Sequence, residues 1–479
     1  MTLNSEITVP VPPAGELVSL QPFLDQLDEG GTLVLNKGKY LLSEPIVVSK
    51  FVHIVGKGAT KTLVQGEKFE FLLQAQGVAK LVVNGVGFGA TGRLKSNVFV
   101  FNGGELDVDD CAFSGAKSIG NVKEGNGHGA AISSNKRVNI SHCSFHNNDQ
   151  DGLALGELTV AKITDCSFSN NYYGLRISEK SSAYVGKCDI NDNSFGGVCS
   201  VSTGLVWLNA SAVRRNAIGV EVLEKAHVEI KDCEIFDNQQ GVFISDRSKC
   251  VAEKNQIHNN LQPITLAEYG DGTFSHNQIF ENTQTGVSIN GNSRSVFRFN
   301  VIYDNEFFDI GLADNAEAVF TKNSFSDGHK EESVFFLLAG PSKCEIRENF
   351  FYTTARPVFY VNEAAFMEGI QFSGNYNSGK KEIFLEEFAA ENEVVKLYLM
   401  TILSPEEKER EKEKKLKSQT HKNINKVANK SFTVEEWREF NESLDRNFTP
   451  EFVYKNVELS VNKDNKRFVL FKKVNRDKE

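Results

Sequence analysis

The residues best suited to chemistry lie between positions 128 and 176. Asp149 and Asp151 form a pair of carboxylates that could act as general acid and general base in inverting glycoside hydrolysis. Arg176 could hold a uronate carboxylate, and His128 could tune the carboxylate pair. These four residues are the candidate catalytic set if the protein is an enzyme.

Aromatic and charged residues close to this set are candidates for ligand binding. Tyr172 and Tyr173 precede Arg176 and could stack on sugar rings or contact a protein, since aromatic rings serve both kinds of partner. Arg176, Glu221 and Phe243 are also candidate binding residues. Asp and Gly are ordinary turn residues as well, so the alternative interpretation is that the carboxylates only shape loops.

A repeated phrase shows which elements must position these residues. It consists of a small or amide residue, an apolar residue two positions later, and Asn three positions after that. Successive closing asparagines are 22 or 23 residues apart: Asn148, Asn171, Asn193, Asn216, Asn238, Asn260, Asn282 and Asn305. Such a period predicts a solenoid in which each repeat forms one coil.

Each repeat contains three short segments of alternating polarity, which predicts three strands per coil. Asn and Gly punctuate the segments, and both tolerate left-handed backbone. One repeat cannot bury its apolar face alone, whereas stacked repeats can. If Leu153 and Leu155 point inward, the residues between them and their equivalents in later repeats point outward. This outward row is largely neutral: Ala154, Arg176, Cys199, Glu221, Phe243, Thr265, Ser288 and Gly311. A calcium-dependent lyase would need more carboxylates there.

Stacking also accounts for columns of identical residues. Asn255, Asn277, Asn300 and Asn323 are expected to bond amide to amide along the solenoid axis. Five cysteines are expected in the same column as buried apolar residues: Cys111, Cys143, Cys166, Cys188 and Cys233. No Cys-x-x-Cys pair is present, so we expect no metal site and no cofactor.

The sequence predicts four regions. Residues 1–29 form an N-terminal segment with a capping helix over 15–29, and residues 30–385 form the all-β solenoid of about 14–16 coils. Residues 386–430 are a charged helix or linker. Residues 431–479 form a helix, starting at a capping box and ending near Phe448, followed by a β-hairpin over 452–474.

Charge and apolar patterning limit the class of protein. The formal net charge is -10, which argues against nucleic acid as a partner. The sequence shows no secretory leader and no apolar run of membrane-spanning length, so we expect a cytoplasmic protein without membrane contact.

Residues 30–380 resemble the pectin-lyase-like superfamily, in particular its carbohydrate-binding and sugar-hydrolase repeats. The resemblance rests on Gly31-Thr-Leu-Val-Leu-Asn-Lys-Gly-Lys-Tyr40, on Val55-Gly-Lys-Gly58 and on the recurring Asn-x-Ile and Gly-Val-x-Ile phrases. It implies a right-handed parallel β-helix. The superfamily includes lyases, hydrolases, epimerases and intracellular recognition scaffolds, so the fold does not decide the function.

The leading hypothesis is an intracellular, non-catalytic β-helix scaffold that binds a protein or a polysaccharide along its lateral face. The first alternative is a carbohydrate-active enzyme, a glycoside hydrolase or polysaccharide lyase acting on a uronate-containing glycan. The second alternative is a structural rod that self-assembles. Oligomers could form through the rod ends or the C-terminal region.

Overall fold

The computed structural model describes residues 4–118, 126–134, 136–326, 334–352, 359–361, 369–377, 428–432, 458–462 and 467–471. The chain divides into two compact units, Met1–Val251 and Ala252–Glu479. In both units the strands recur in threes along the chain, and equivalent strands of successive coils pair in parallel, which produces three sheets. The all-β parallel solenoid predicted from the repeat is therefore confirmed.

In the first unit each coil after the N-terminal one begins with a strand of the first sheet and continues through the second sheet to the third. The first-sheet strands are Asn4–Val9, Leu27–Leu35, Val52–Val55, Lys80–Asn84, Glu105–Asp109, Arg137–Ser141, Val160–Thr164, Ser182–Gly186, Leu205–Asn209 and His227–Lys231. The second-sheet strands are Leu17–Val18, Gly38–Leu42, Thr62–Gly66, Gly87–Ala90, Ala112–Ser114, Ser144–His146, Ser167–Ser169, Asp189–Asn191, Ala212–Arg214 and Glu234–Phe236. The third-sheet strands are Ile46–Val48, Phe71–Gln76, Asn97–Gly103, Ala130–Ser134, Leu153–Gly156, Tyr173–Ile177, Gly196–Ser200, Ile218–Val222 and Gln240–Ile244.

The second unit repeats this order, and the strand Lys249–Glu253 crosses the division between the units. Its other first-sheet strands are Asp271–Ser275, Arg294–Arg298, Glu317–Thr321, Lys343–Arg347 and Ile370–Ser373. The second-sheet strands are Gln256–His258, Gln278–Phe280, Val301–Tyr303, Ser324–Ser326, Phe350–Tyr352 and Tyr376–Asn377. The third-sheet strands are Gln262–Leu266, Val287–Ile289, Phe308–Leu312, Val334–Leu338 and Phe359–Val361. First-sheet strands number 16 along the described chain, in agreement with the predicted 14–16 coils.

Stacked apolar side chains fill the interior of the coils. In the first unit the rings of Phe113, Phe145 and Phe168 stack with centroid separations of 5.1 and 5.0 Å. This spacing is the distance between neighbouring parallel strands, so equivalent rings of successive coils meet face to face. The abundance of phenylalanine in the sequence therefore serves a repetitive core.

Two ladders of asparagine side chains form hydrogen bonds at the corners of the coils. Between the second and third sheets, Asn148 Nδ2 donates to Asn171 Oδ1 at 2.9 Å, and Asn171 bonds Asn193 in the same way at 3.1 Å. Between the first and second sheets of the second unit, Asn255 bonds Asn277 at 2.9 Å and Asn277 bonds Asn300 at 3.0 Å. The predicted column of Asn255, Asn277 and Asn300 is present, and the closing asparagines form a second ladder that was not predicted.

The cysteine column is also present, and its thiols are buried. The backbone N–H of Cys143 donates to Cys166 Sγ, and Ser211 takes the position between Cys188 and Cys233. Burial raises the pKa of the Cys233 thiol to about 12. A protonated and buried thiol is a poor nucleophile, so Cys233 acts as a core residue, and the other cysteines of the column share its burial.

The glycines that begin the third-sheet strands do not have the backbone conformation that the sequence pattern suggested. Their backbone is not left-handed, and the left-handed residues at the corners are mostly Asp, Asn, Glu and Lys. A Cβ on Gly152 would lie 2.6 Å from the carbonyl oxygen of Gly174, and a Cβ on Gly174 would lie 2.7 Å from that of Gly197. Glycine is needed here because neighbouring backbones approach closely.

The predicted capping helix over 15–29 is wrong in extent. The helix covers only Gln21–Asp25, and Leu27 already begins a nine-residue strand. The leucine spacing at 17, 20, 24 and 27 matches a helical face, but Leu27 is buried as the first residue of that strand. The short helix replaces a third-sheet strand, and the Gln21 side chain bonds the N–H and C=O of Val47 at the edge of that sheet.

The C-terminal region is described only in part. Strand Arg467–Phe471 pairs antiparallel with both Ala428–Phe432 and Glu458–Asn462. The charged segment 386–427 and the helix predicted over 433–448 lie outside the described residues. The predicted boundaries of this region stay predictions.

Candidate functional site

The candidate site lies on the outer face of the third sheet in the first unit. Parallel pairing places Ala154 beside Arg176, Arg176 beside Cys199, Cys199 beside Glu221, and Glu221 beside Phe243. The outward row predicted from the repeat is thus formed by successive coils. We call this surface the third-sheet face.

Three of the four candidate catalytic residues meet at one carboxylate. Oδ2 of Asp151 accepts hydrogen bonds from Arg176 Nε at 2.8 Å and from Arg176 Nη2 at 2.5 Å. Nδ1 of His128 lies 3.1 Å from the same oxygen. The Asp151 side chain is fully buried, whereas that of Arg176 is 29% exposed. Arg176 therefore neutralises a carboxylate that solvent does not reach.

The position of His128 depends on the two glycines that flank it. Gly127 has a positive φ of 95°, and a Cβ on Gly129 would lie 2.6 Å from the carbonyl oxygen of Gly152. The backbone N–H of Asp151 also points at His128 Nδ1, at 3.4 Å. Nδ1 can donate to the carboxylate only when it carries the proton, so the tautomer decides which of the two contacts forms.

Asp149 does not join this cluster. Its carboxylate forms an ion pair with Lys117 Nζ at 3.0 Å and accepts the N–H of Ser118 at 3.1 Å. Asp149 is exposed, whereas Asp151 two residues later is buried. The two carboxylates therefore have different partners and different surroundings.

A second hydrogen bond spans two coils on the third-sheet face. The hydroxyl of Tyr173 donates to Glu221 Oε2 at 2.7 Å. Its ring crosses the intervening coil over Gly196, where a Cβ would lie 2.6 Å from the ring atoms. Burial, together with the neighbouring Cys199 and Glu221, raises the pKa of Tyr173 well above its ordinary value. Tyr173 is therefore a neutral donor at physiological pH.

Three aromatic rings cluster beside these polar groups. Tyr172 stacks on Phe195 with centroids 5.1 Å apart and planes 20° apart. Tyr173 meets both rings edge to face at 5.2 Å, and the guanidinium of Arg176 lies 5.6 Å from the Tyr173 ring centroid. All three rings are half-buried. We call Tyr172, Tyr173 and Phe195 the ring cluster.

The sequence prediction missed Phe195 and Gly196 as parts of this site, and it placed Cys199 in the outward row without naming it as a binding residue. Phe195 is one repeat after Tyr172, so the 23-residue offset could have identified it. Cys199 lies between Arg176 and Glu221 on the outer face, outside the cysteine column. Burial raises the pKa of its thiol well above the ordinary value, and the charge of Glu221 adds to this effect.

The carboxylates of this site are all engaged by neighbouring groups. Asp151 is buried and paired, Asp149 is paired with Lys117, and Glu221 is buried under the Tyr173 hydroxyl. Among the residues that the structure describes, no group of three or more His, Cys, Asp or Glu side chains could hold a metal ion. The same residues include no helix long and apolar enough to cross a membrane.

Comparison with solved structures finds partial similarities to other proteins. The catalytic unit of the GH87 alpha-1,3-glucanase from Streptomyces thermodiastaticus is 13% identical with a TM-score of 0.47, covering 77% of this chain and 67% of the other. The Dettilon tailspike protein is 15% identical with a TM-score of 0.43, covering 65% and 62%. The A-module of the Azotobacter vinelandii mannuronan C-5 epimerase AlgE6 is 12% identical with a TM-score of 0.42, covering 74% and 92%. This chain thus spans less than two thirds of the tailspike.

Comparison with curated protein sequences gives no match. The sequence profile described as "Right handed beta helix region" matches residues 93–218, 156–282 and 218–377. These matches together span residues 93–377, which is more than half of the 479-residue chain. The chain therefore belongs to the right-handed β-helix family.

Proposed function

We propose that the third-sheet face of the first unit binds a neutral glycan without cleaving it. The observation that carries this proposal is the ring cluster beside a charge pair that the protein itself neutralises. Sugar rings present C–H faces that pack on aromatic rings, and their hydroxyls bond to polar groups at the rim. The ring cluster offers both kinds of contact.

The preference for a neutral ligand follows from the charges. Two donors of Arg176 are committed to Asp151, and Glu221 adds a carboxylate two coils from Tyr173. Asp151, Arg176 and Glu221 together carry more negative than positive charge. A uronate carboxylate at this site would lack a free cation and would be repelled by Glu221.

The absence of turnover follows from the state of the carboxylates. A glycoside hydrolase needs two carboxyl groups that reach opposite sides of the scissile bond. Asp151 is fully buried against Arg176, and Asp149 is held at 3.0 Å by Lys117. Neither side chain is presented to the ring cluster as a free acid or base.

The test is a screen of the full-length protein against neutral and uronate-containing oligosaccharides, following binding by calorimetry and cleavage by new reducing ends or unsaturated products. We expect saturable binding of a neutral oligosaccharide and no product. Phe195→Ala should weaken this binding about fivefold, because one stacking ring is lost. Tyr269→Ala is the matched control, since Tyr269 is an exposed aromatic residue of the second unit.

Two results would overturn the proposal. Equal affinity of the Phe195→Ala variant and the parent protein would show that the ring cluster does not hold the ligand. Product formation that Arg176→Lys abolishes would favour the carbohydrate-active enzyme. The cytoplasmic location and the protein partner stay predictions from the sequence.

A further inference from the structure

The first sheet of the same unit carries a second surface with a different charge. Arg137, Lys162 and Lys187 line a shallow groove on its outer face. All three side chains are exposed, and none forms an ion pair with a residue that the structure describes. Lys162 and Lys187 lie together on this surface of a chain of net charge -10, and the charge of Arg137 acts on Asp107 of the preceding coil. We call this surface the cationic groove.

Nearby carboxylates do not cancel these cations. Asp165 is the one carboxylate among the described residues that line the groove, against three cations. In the preceding coil Asp107 is held by Lys80 at 3.1 Å and by Asn139 at 2.6 Å. Three coils beyond Lys162, Glu229 lies 3.3 Å from His227. The groove therefore keeps a net positive charge.

An aromatic ring packs against the sheet inside the groove. A Cβ on Gly186 would lie 2.8 Å from Cε1 of Tyr184, so this ring rests on the bare backbone of Gly186. Its opposite face is open to solvent, since Tyr184 is 40% exposed. Trp207 lies beside Tyr184 in the next coil and is 39% exposed. Two neighbouring coils thus expose aromatic surface on one sheet.

Polar side chains complete the groove. Thr164 and Asn209 line it beside Gly186. Their hydroxyl and amide groups can bond sugar hydroxyls, while Lys162 and Lys187 can pair with carboxylates. A flat ring face next to amide, hydroxyl and ammonium groups matches a pyranose that carries a carboxylate.

We propose that the cationic groove binds an acidic oligosaccharide built from uronic acid units. Tyr184 stacks on one sugar ring of the oligosaccharide, and Arg137, Lys162 and Lys187 pair with carboxylates of the oligosaccharide. This site goes beyond the proposed function, because it lies on another sheet and selects an anionic ligand instead of a neutral one. The net charge of the chain is -10, so the protein as a whole repels such a ligand, and the groove offers it a local group of cations.

The experiment uses tetragalacturonate as the probe and a neutral tetrasaccharide for comparison. The chain contains two tryptophans, Trp207 and Trp437. The full-length Trp437→Phe protein leaves Trp207, beside Tyr184, as the only source of tryptophan fluorescence. We expect saturable fluorescence change with tetragalacturonate and none with the neutral probe at the same concentrations.

Three variants in this background locate the site. Lys162→Ala combined with Lys187→Ala should weaken binding about tenfold, from the loss of two charge contacts. Gly186→Ala keeps every charge and forces the Tyr184 ring to move, so affinity should fall about threefold. Lys180→Ala is the matched charge control, because Lys180 is exposed outside the groove, and it should bind like the parent.

Each outcome decides the proposal. Equal binding of both tetrasaccharides, no saturable change, or full affinity in the double lysine variant would overturn it. If Gly186→Ala unfolds, as shown by circular dichroism, Tyr184→Ser tests the ring instead. Phe195→Ala should leave tetragalacturonate binding unchanged, so failure of the neutral glycan proposal is distinguishable from failure of this one.

Discussion

Two outer faces built by the same coils of the first unit differ in whether their charged side chains are paired. On the third-sheet face, Arg176 is committed to the buried Asp151, and Glu221 accepts the Tyr173 hydroxyl. In the cationic groove of the first sheet, Lys162 and Lys187 have no ion pair among the described residues. The first arrangement stabilises the fold, whereas the second leaves its charges available to a ligand.

The difference shows that proximity of ionisable residues in a β-helix is a weak sign of chemistry. The third-sheet face contains more ionisable groups, yet most of them already bond one another. The cationic groove has fewer groups, but they are exposed. A ligand gains most where the protein has not already paired its charges, since desolvated pairs resist exchange.

The largest expected effect comes from breaking the buried pair. Asp151→Asn leaves Arg176 without its counter-charge in a largely buried position, and we expect a loss of about 3 kcal/mol in the free energy of unfolding. Urea denaturation measures this change. Asp149→Asn is the matched control, because it removes an exposed ion pair and should cost about 1 kcal/mol or less.

A double variant sharpens this result. Asp151→Asn with Arg176→Gln removes both charges, so the combined loss should be smaller than the sum of the two single losses. Additive losses would mean that the two side chains act independently, which would contradict the pairing.

The next effect concerns Tyr173. Tyr173→Phe removes the donor to the buried Glu221 and should cost about 1–2 kcal/mol. The folded protein raises the pKa of Tyr173, so it retains a proton that the unfolded chain loses near pH ~10. This contribution to stability is present below that pH and declines above it. Stability should therefore fall less steeply with alkaline pH in Tyr173→Phe than in the parent, as followed by urea denaturation.

Ligand affinity at the two faces should depend differently on salt concentration. Affinity for tetragalacturonate should fall about fivefold between ~0.05 and ~0.5 M NaCl, because exposed charges are screened. Binding of a neutral oligosaccharide to the ring cluster should change little. Parallel titrations at both salt concentrations measure this, and equal salt dependence at the two faces would contradict the comparison.

The smallest effect is expected in the second unit, where the first sheet carries alternating charges. Glu317 lies 3.2 Å from both Arg294 and Lys343. Glu317→Gln should change the free energy of unfolding by about 0.5 kcal/mol, since both ion pairs are exposed. Thermal denaturation measures the change, and a loss as large as that of Asp151→Asn would show that exposure does not set the energy of these pairs.

The fold was predictable because every coil repeats the same pattern. A 22- or 23-residue period fixes which residues stack, and hence the ladders and the outward row from Ala154 to Phe243 in the first unit. The N-terminal helix was overpredicted because leucine spacing alone does not distinguish a helical face from a buried strand start at Leu27.

The site was only partly predictable, because its contacts depend on side-chain direction. The repeat period predicted that His128, Asp151 and Arg176 lie in neighbouring coils, and the side chains of His128 and Arg176 do contact that of Asp151. It could not show that Asp149 turns to Lys117, or that Tyr173 crosses Gly196 to reach Glu221. The cationic groove was not predicted, because it lies on the first sheet and not on the glycine-led strands of the third sheet.

The asparagine ladders have a direction. In the first unit each Nδ2 donates toward the C-terminal neighbour, from Asn148 to Asn171 and onward to Asn193, and Asn260 bonds Asn282 in the same sense in the second unit. Amide dipoles aligned head to tail polarise one another and strengthen each bond. A whole coil added or removed in register would preserve this alignment, so the ladder allows the protein to change length in steps of one coil.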